Sequence, residues 1–240
     1  MPTVVLWDID GTLVRSNGGR VAVTAFLRAL RHTWQLEHEP AYPTDSSGKT
    51  DPQIALDILA AASIGEPRAM EMLSAFGETY LTELQRQRER LVKDLLVLPG
   101  VTATLERLAR LGVVQSLLTG NLEPVARLKL ACAELDQYLA FEVGGFGSDH
   151  ADRTCLVPIV RERLRQRLGQ DVAPEDIVVV GDTPRDIACA RAGAARAVAV
   201  ATGNFTRSQL ERHGPDAVLD DLSDGAAVIA ALLGNSAAVE

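Results

Sequence analysis

The rhythm of apolar and polar positions changes sharply along the chain. Val4, Val5, Leu6 and Trp7 form an unbroken apolar run that Asp8 ends, which predicts a short buried strand. From about residue 18 to 92 the apolar positions recur at helical spacing, as in "VAVTAFLRALRHTW", "PQIALDILAAA" and "AMEMLSAFGETYLTELQRQRERL". Between the first two lies "EPAYPTDSSGKTD", whose Pro, Ser, Gly and Asp predict a loop. The basic stretch "LQRQRERLVKD" reads as a solvated helix face, and Trp7 and Trp34 read as packing residues.

Beyond Leu98 short β-branched runs alternate with helical ones. "LPGVTATLERLARLG" predicts a helix, "VVQSLL" a strand and "EPVARLKLACAEL" a helix. "AFEVGGF" is expected to hold a short strand, "CLVPIVRERLRQRLG" a helix and "DIVVVGD" a buried strand. "RDIACARAGA" then reads as a helix, "RAVAVATG" as a strand, and "DAVLDDL" as a short edge strand before a last helix. Such alternation predicts an α/β fold with a doubly wound parallel sheet. The helical block interrupts it directly after the first strand, so residues 1–17 and 93–240 are expected to form the sheet domain and 18–92 an inserted helical domain.

Composition narrows the function. The chain has 240 residues, 47% of them apolar, which is enough for a sizeable core with a smaller companion. A net charge of -8 argues against nucleic acid or an anionic membrane as the main partner. The three cysteines, Cys132, Cys155 and Cys189, form no CxxC pair and suggest a reducing compartment. No apolar run reaches membrane-spanning length, and the N-terminal run has no basic region before it, so a cytoplasmic location is expected.

In open α/β sheets ligands bind beyond the carboxyl ends of the strands. There the first strand meets "DIDGT", the second "TGN" and a later one "GDTPRD". Carboxylates gathered in one place repel unless a cation neutralises them. A hard divalent ion such as Mg²⁺ does so with oxygen ligands, and Asp8 and Asp182 are placed to hold one. "TGN" supplies a hydroxyl and the start of a helix, with Asn121 as its N-cap and Pro124 in its first turn. A helix N-terminus favours a bound anion. Carboxylates, a metal and anion-binding helix ends together imply phosphoryl transfer.

The motifs "DIDGT" at 8–12, "TGN" at 119–121 and "GDTPRD" at 181–186, in this order, resemble those of the haloacid dehalogenase-type hydrolases. "LPGV", "LLTGN" and "GKTD" most resemble its phosphoglycolate phosphatase-like members. The resemblance implies a Rossmann-like core with an inserted helical cap and a Mg²⁺-dependent phosphatase acting on a small phosphorylated metabolite. It implies that Asp8 is the nucleophile, forming an aspartyl-phosphate, and that Asp10 is the general acid and base. Thr119 and the Gly120 amide would hold the phosphoryl oxygens, with Gly11, Thr12 and Asn121 beside them. Metal ligation falls to Asp8, the Asp10 carbonyl and Asp182, with Asp186 supporting directly or through water. An acid in a first helical turn also suits the helix dipole, so Asp186 has a second reading.

One departure stands out. The family usually places a lysine before its last motif, and no lysine follows Lys129. Arg153 is the best substitute; its other reading is a surface cation. Gly48, Lys49 and Thr50 of "SSGKTD" either close over the site and contact substrate or simply start a helix, with Thr50 or Asp51 capping and Pro52 in the first turn. His150 is left outside the site. Other possible activities are a phosphomutase, a phosphonate hydrolase using Lys49 as an imine-forming amine, and a binding module without catalysis. The chain is expected to be a monomer or a homodimer.

Overall fold

The computed structural model describes residues 3–169 and 171–234. Five parallel strands form the central sheet: β1 (Val4–Trp7), β4 (Val114–Leu117), β5 (Ile177–Gly181), β6 (Arg196–Val200) and β7 (Ala217–Leu219). Their order is β4-β1-β5-β6-β7, so the chain runs to one side of β1 and then to the other. Strand β1 is buried on both faces, which is why its sequence is continuously apolar rather than alternating. Val5 and Trp7 pack on one side with Leu105 and Leu108 of α6 (Val101–Arg110) and Leu130 of α7 (Glu123–Cys132). Val4 and Leu6 pack on the other with Leu156 and Val160 of α8 (Leu156–Leu168) and Ile187 of α9 (Pro184–Ala192). The last turns of the chain add α10 (Arg207–Glu211) and α11 (Gly225–Leu233).

Register positions the site. Trp7 stands opposite Leu117 on one side and Val180 on the other, so the three central strands end nearly flush. The residues that follow them, Asp8, Thr119 and Asp182, therefore emerge at one rim.

The helical insertion comprises α1 (Val21–Trp34), α2 (Asp51–Ala61), α3 (Glu66–Glu71), α4 (Leu73–Arg86) and α5 (Arg88–Asp94). It leaves and rejoins the sheet region through an antiparallel pair, β2 (Val14–Ser16) with β3 (Leu95–Val97). Its own core centres on Phe26, whose ring meets Phe76 and Tyr80 edge-on at 5.0 and 5.3 Å between centroids. Two expectations change. The helical run over 69–91 is divided at Met72 and Gln87, where ψ is 3° and 17°. "AFEVGGF" forms a 3-10 turn at Phe141–Val143 instead of a strand; it meets the sheet at its two ends, where the Ala140 N–H donates to the Gln115 carbonyl at 2.8 Å and Gly145 bridges Leu118 beyond the end of β4. A run of two glycines gives a strand little side-chain packing to hold it.

Candidate active site

Three carboxylates meet at the rim. Asp8 continues the ladder of β1, its N–H donating to the Val180 carbonyl at 2.9 Å. Asp182 follows β5 directly, and Asp186 projects from the first turn of α9. One oxygen from each lies within 4.8 Å of the others, and all three residues are buried. Asp186 serves the helix and the cluster at once. Its Oδ2 accepts the N–H and hydroxyl of the capping residue Thr183, at 2.9 and 2.7 Å, while among the described residues no hydrogen-bond donor is aligned with its Oδ1.

Glycines make the close approach possible. A Cβ on Gly11 would fall 2.4 Å from Asp182 Oδ2, and one on Gly203 would fall 1.7 Å from the same atom. Gly11 also has φ +90°, a conformation costly for any side chain. Thr12 donates its hydroxyl to Asp182 Oδ1 at 3.3 Å.

Arg153 is no surface cation. It lies in a 3-10 turn capped by Asp152 just before α8, and its side chain is 6% exposed. Nη2 donates to Asp8 Oδ1 at 2.9 Å and to the Leu118 carbonyl at 3.0 Å, and it also pairs with Asp186 Oδ1. Nη1 reaches the Gly48 carbonyl at 3.1 Å. A planar fork serves these diverging acceptors; the single ammonium of a lysine is a point donor.

Burial sets the electrostatics of the cluster. It pushes the Asp8 carboxyl up to about 6, opposed by Arg153 and reinforced by Asp186 and Asp10. Burial also lifts Asp182 to about 8, with Asp186 and Asp8 adding repulsion. An all-oxygen cradle of buried carboxylates, closed by glycines and short of positive charge, fits a hard divalent cation.

Asp10 stands apart from the three. Its carboxylate is half-exposed towards a cavity of about 590 Å³, where Lys129 Nζ donates to its oxygens at 2.9 and 2.7 Å. Asn121 Nδ2 donates to Asp10 Oδ2 at 2.8 Å and to the Thr119 hydroxyl at 3.0 Å, and Asn121 Oδ1 accepts from Lys129. The crowded cavity wall strips water from the Asp10 carboxyl and by itself would raise it, but Lys129 and Asn121 outweigh that and hold the group below the usual carboxylate range.

The expected capping role of Asn121 is corrected by this network. Helix α7 starts at Glu123, its capping position is Leu122, and the Leu122 N–H donates to Asp51 Oδ2 at 2.9 Å. Lys129 joins the site from outside the motifs. Its signal in the sequence is a cation between Leu128 and Leu130 on the helix that follows "TGN"; only the fold shows that its ammonium turns to Asp10.

The segment 46–51 lies against the core. Thr50 is fully buried; it caps α2 by accepting the Gln53 N–H at 3.1 Å and donates its hydroxyl to the Ala151 carbonyl at 2.6 Å. Asp51 N–H donates to the Gly120 carbonyl at 2.7 Å, and a Cβ on Gly120 would fall 2.2 Å from the Lys49 carbonyl. Gly48 and Lys49 both line the cavity, but the Lys49 ammonium pairs with Asp45 at 2.7 Å and Asp57 at 2.8 Å. Thr119 is fully buried, its hydroxyl accepting from Asn121. His150 is exposed and turned to its own loop, accepting the Asp152 N–H.

Residues 5–191 match the family model described as haloacid dehalogenase-like hydrolase. The pyrophosphatase PpaX of Bacillus mycoides is 25% identical over 222 residues, covering 92% of this chain and 93% of its own. Phosphoglycolate phosphatase 1 of Pseudomonas aeruginosa is 26% identical over 233 residues, covering 93% of this chain and 78% of its own. Among solved structures, a predicted phosphoglycolate phosphatase from Haemophilus somnus superposes with a TM-score of 0.66 at 19% identity, over 94% of this chain and 97% of that one.

Proposed function

The chain belongs to the haloacid dehalogenase-like hydrolases, and from that premise we propose that it is a Mg²⁺-dependent phosphatase of a small phosphomonoester. The observation that carries the reading is the position of Asp8: it touches Arg153 and shares a buried oxygen cluster with Asp182 and Asp186 at the wall of a cavity. The relatives named as a pyrophosphatase and a phosphoglycolate phosphatase support phosphate chemistry.

Asp8 Oδ attacks the phosphoryl phosphorus, and the ester oxygen leaves with a proton from Asp10. Water then attacks the aspartyl-phosphate, giving its proton to Asp10 and releasing Asp8 and inorganic phosphate. Arg153 balances charge on Asp8 and the phosphoryl oxygens. The Gly120 backbone amide and the Thr119 hydroxyl orient the phosphoryl group, with Asn121 holding that hydroxyl in place. Asp8, Asp182 and the Asp10 carbonyl would hold Mg²⁺, with Asp186 behind them. The ion supplies charge neutralisation for the nucleophile and the transferring group.

Two observations separate the alternatives. An imine-forming amine must be neutral, whereas the Asp45 and Asp57 carboxylates hold the Lys49 ammonium above its ordinary pKa. This counts against a phosphonate hydrolase. Asp10, with its carboxylate at the cavity, supplies the proton that ester cleavage needs and a pure binding module does not. The test is phosphate release from p-nitrophenyl phosphate with Mg²⁺. Asp8→Asn is expected to lower it by about three orders of magnitude or more; equal release by the variant would sink the assignment. A mutase would instead isomerise sugar phosphates without net phosphate release.

A further inference from the structure

The core end of the cavity is occupied by the groups just described. Its cap end is lined by Asp51, Tyr42 and Tyr80, with Phe26 and Ile54 supplying the apolar part. Two residues there are largely buried, yet each turns unused hydrogen-bonding capacity towards the cavity. Tyr80 is 2% exposed, and its hydroxyl makes no hydrogen bond to any described residue. Asp51 is 9% exposed; its Oδ2 takes the Leu122 N–H, while no described group donates to its Oδ1. Polar atoms that face a cavity with hydrogen-bonding capacity to spare are placed to receive the polar groups of a ligand.

The chemistry of the wall selects among ligands. A carboxylate accepts hydrogen bonds, a phenol both donates and accepts, and the surrounding rings and Ile54 suit an aliphatic skeleton. Hydroxyl groups on a carbon chain satisfy all three. A carboxylate tail meets the like charge of Asp51, and the nearby Lys129 is already committed to Asp10 and Asn121. Arg15 and Arg20, which also line the cavity and are exposed, attract any phosphorylated substrate whatever its tail.

We propose that Asp51 and Tyr80 are specificity-determining residues that read hydroxyl groups, so that the preferred substrate is the phosphomonoester of a polyhydroxylated alcohol, a sugar or polyol phosphate, and not a phosphorylated carboxylic acid. The inference rests on the phosphatase reading of Asp8. It goes beyond that reading by assigning the alcohol half of the substrate.

Phosphate release with Mg²⁺ is measured for glycerol 3-phosphate, ribose 5-phosphate, glucose 6-phosphate, 2-phosphoglycolate and p-nitrophenyl phosphate, using the full chain and its Asp51→Asn and Tyr80→Phe variants. The expected result is a kcat/KM at least about tenfold higher for the best sugar or polyol phosphate than for 2-phosphoglycolate. Asp51→Asn should lower that ratio by about ten- to hundredfold, the range of a hydrogen bond to a charged group, and Tyr80→Phe by less. Tyr80→Phe keeps the ring against Phe26 and Phe76, so it tests the hydroxyl even where Asp51→Asn fails to fold. Preference for 2-phosphoglycolate over every polyol phosphate would overturn the proposal. So would losses of equal size on all substrates in both variants, which would mark the residues as structural. If p-nitrophenyl phosphate and every metabolite stay intact, the phosphatase reading itself fails and takes this one with it; hydrolysis of p-nitrophenyl phosphate with the wrong tail preference leaves the first standing and removes the second.

Discussion

Asp10 and Lys129 show how a single contact can set the working range of a site. Lys129, 5% exposed, favours the ionised form of Asp10, which suits the proposed step in which Asp10 takes a proton from water. Donation to the leaving oxygen needs the acid form, so the free-enzyme pKa of Asp10 should appear as a limb of the kcat/KM profile. Removing the ammonium removes the stabilisation of the carboxylate, so the pKa must rise. Lys129→Met is therefore expected to move that limb to higher pH, measured across a buffer series with p-nitrophenyl phosphate; an unmoved limb would show that Lys129 does not tune Asp10. Asp8, Asp10, Thr119, Asp182 and Asp186 were legible in the sequence because each sits at a motif-bearing strand end or first helical turn. Lys129 and Asp51 were not, since a buried lysine on an apolar helix and an aspartate opening another carry no local mark of their partners.

Secondary-structure elements owe their ends to residues far away in the chain. Helix α1 begins after Arg20 with no side-chain cap of its own. Asp94 supplies it: its carboxylate accepts the Val21 N–H at 3.1 Å, the Gly19 N–H at 2.7 Å and the Ser16 hydroxyl at 2.9 Å. Asp94 is the last residue of α5, where an acid is unfavourable to the helix dipole, and that misplacement is the trace it leaves in the sequence. It ties the outgoing and returning limbs of the insertion together beside β2 and β3. Asp94→Ala would leave these donors without a partner, at a cost of about 2 kcal/mol or more. Thermal unfolding should show a fall in Tm of about 4 °C or more; an unchanged Tm would mean water replaces the carboxylate without loss. The segment 140–146 failed as a predicted strand for a related reason. A short apolar run with two glycines fits several local structures, and only the edge of β4 decides how much of it pairs.

At the scale of the molecule, the insertion and the sheet domain are closed on each other by the segment 47–51. Ser47 accepts from Arg185 and Asn204, Gly48 from Arg153, and Thr50 and Asp51 bond to Ala151, Gly120 and Leu122. Closure of this kind excludes bulk water from a reacting group. Two of the cluster acids, Asp8 and Asp182, carry raised pKa values, so a divalent cation that binds the folded form should stabilise the whole chain. A hundredfold excess of Mg²⁺ over its Kd corresponds to about 2.7 kcal/mol. Differential scanning fluorimetry should therefore show a Tm several degrees higher with Mg²⁺ than with EDTA, and Asp182→Asn should lose most of the difference; an identical shift in the variant would place the ion elsewhere. The sequence by itself determined the α/β class, the inserted helical block and the acids at the strand ends, because periodicity, strand termination and motif spacing are properties of short windows. The tertiary structure alone decided that Arg153 turns inward to Asp8, that Lys129 holds Asp10, and that Asp51 and Tyr80 face the same cavity. Those relations join segments with no common local pattern, and they exist only once burial and strand register have brought the segments into hydrogen-bonding reach.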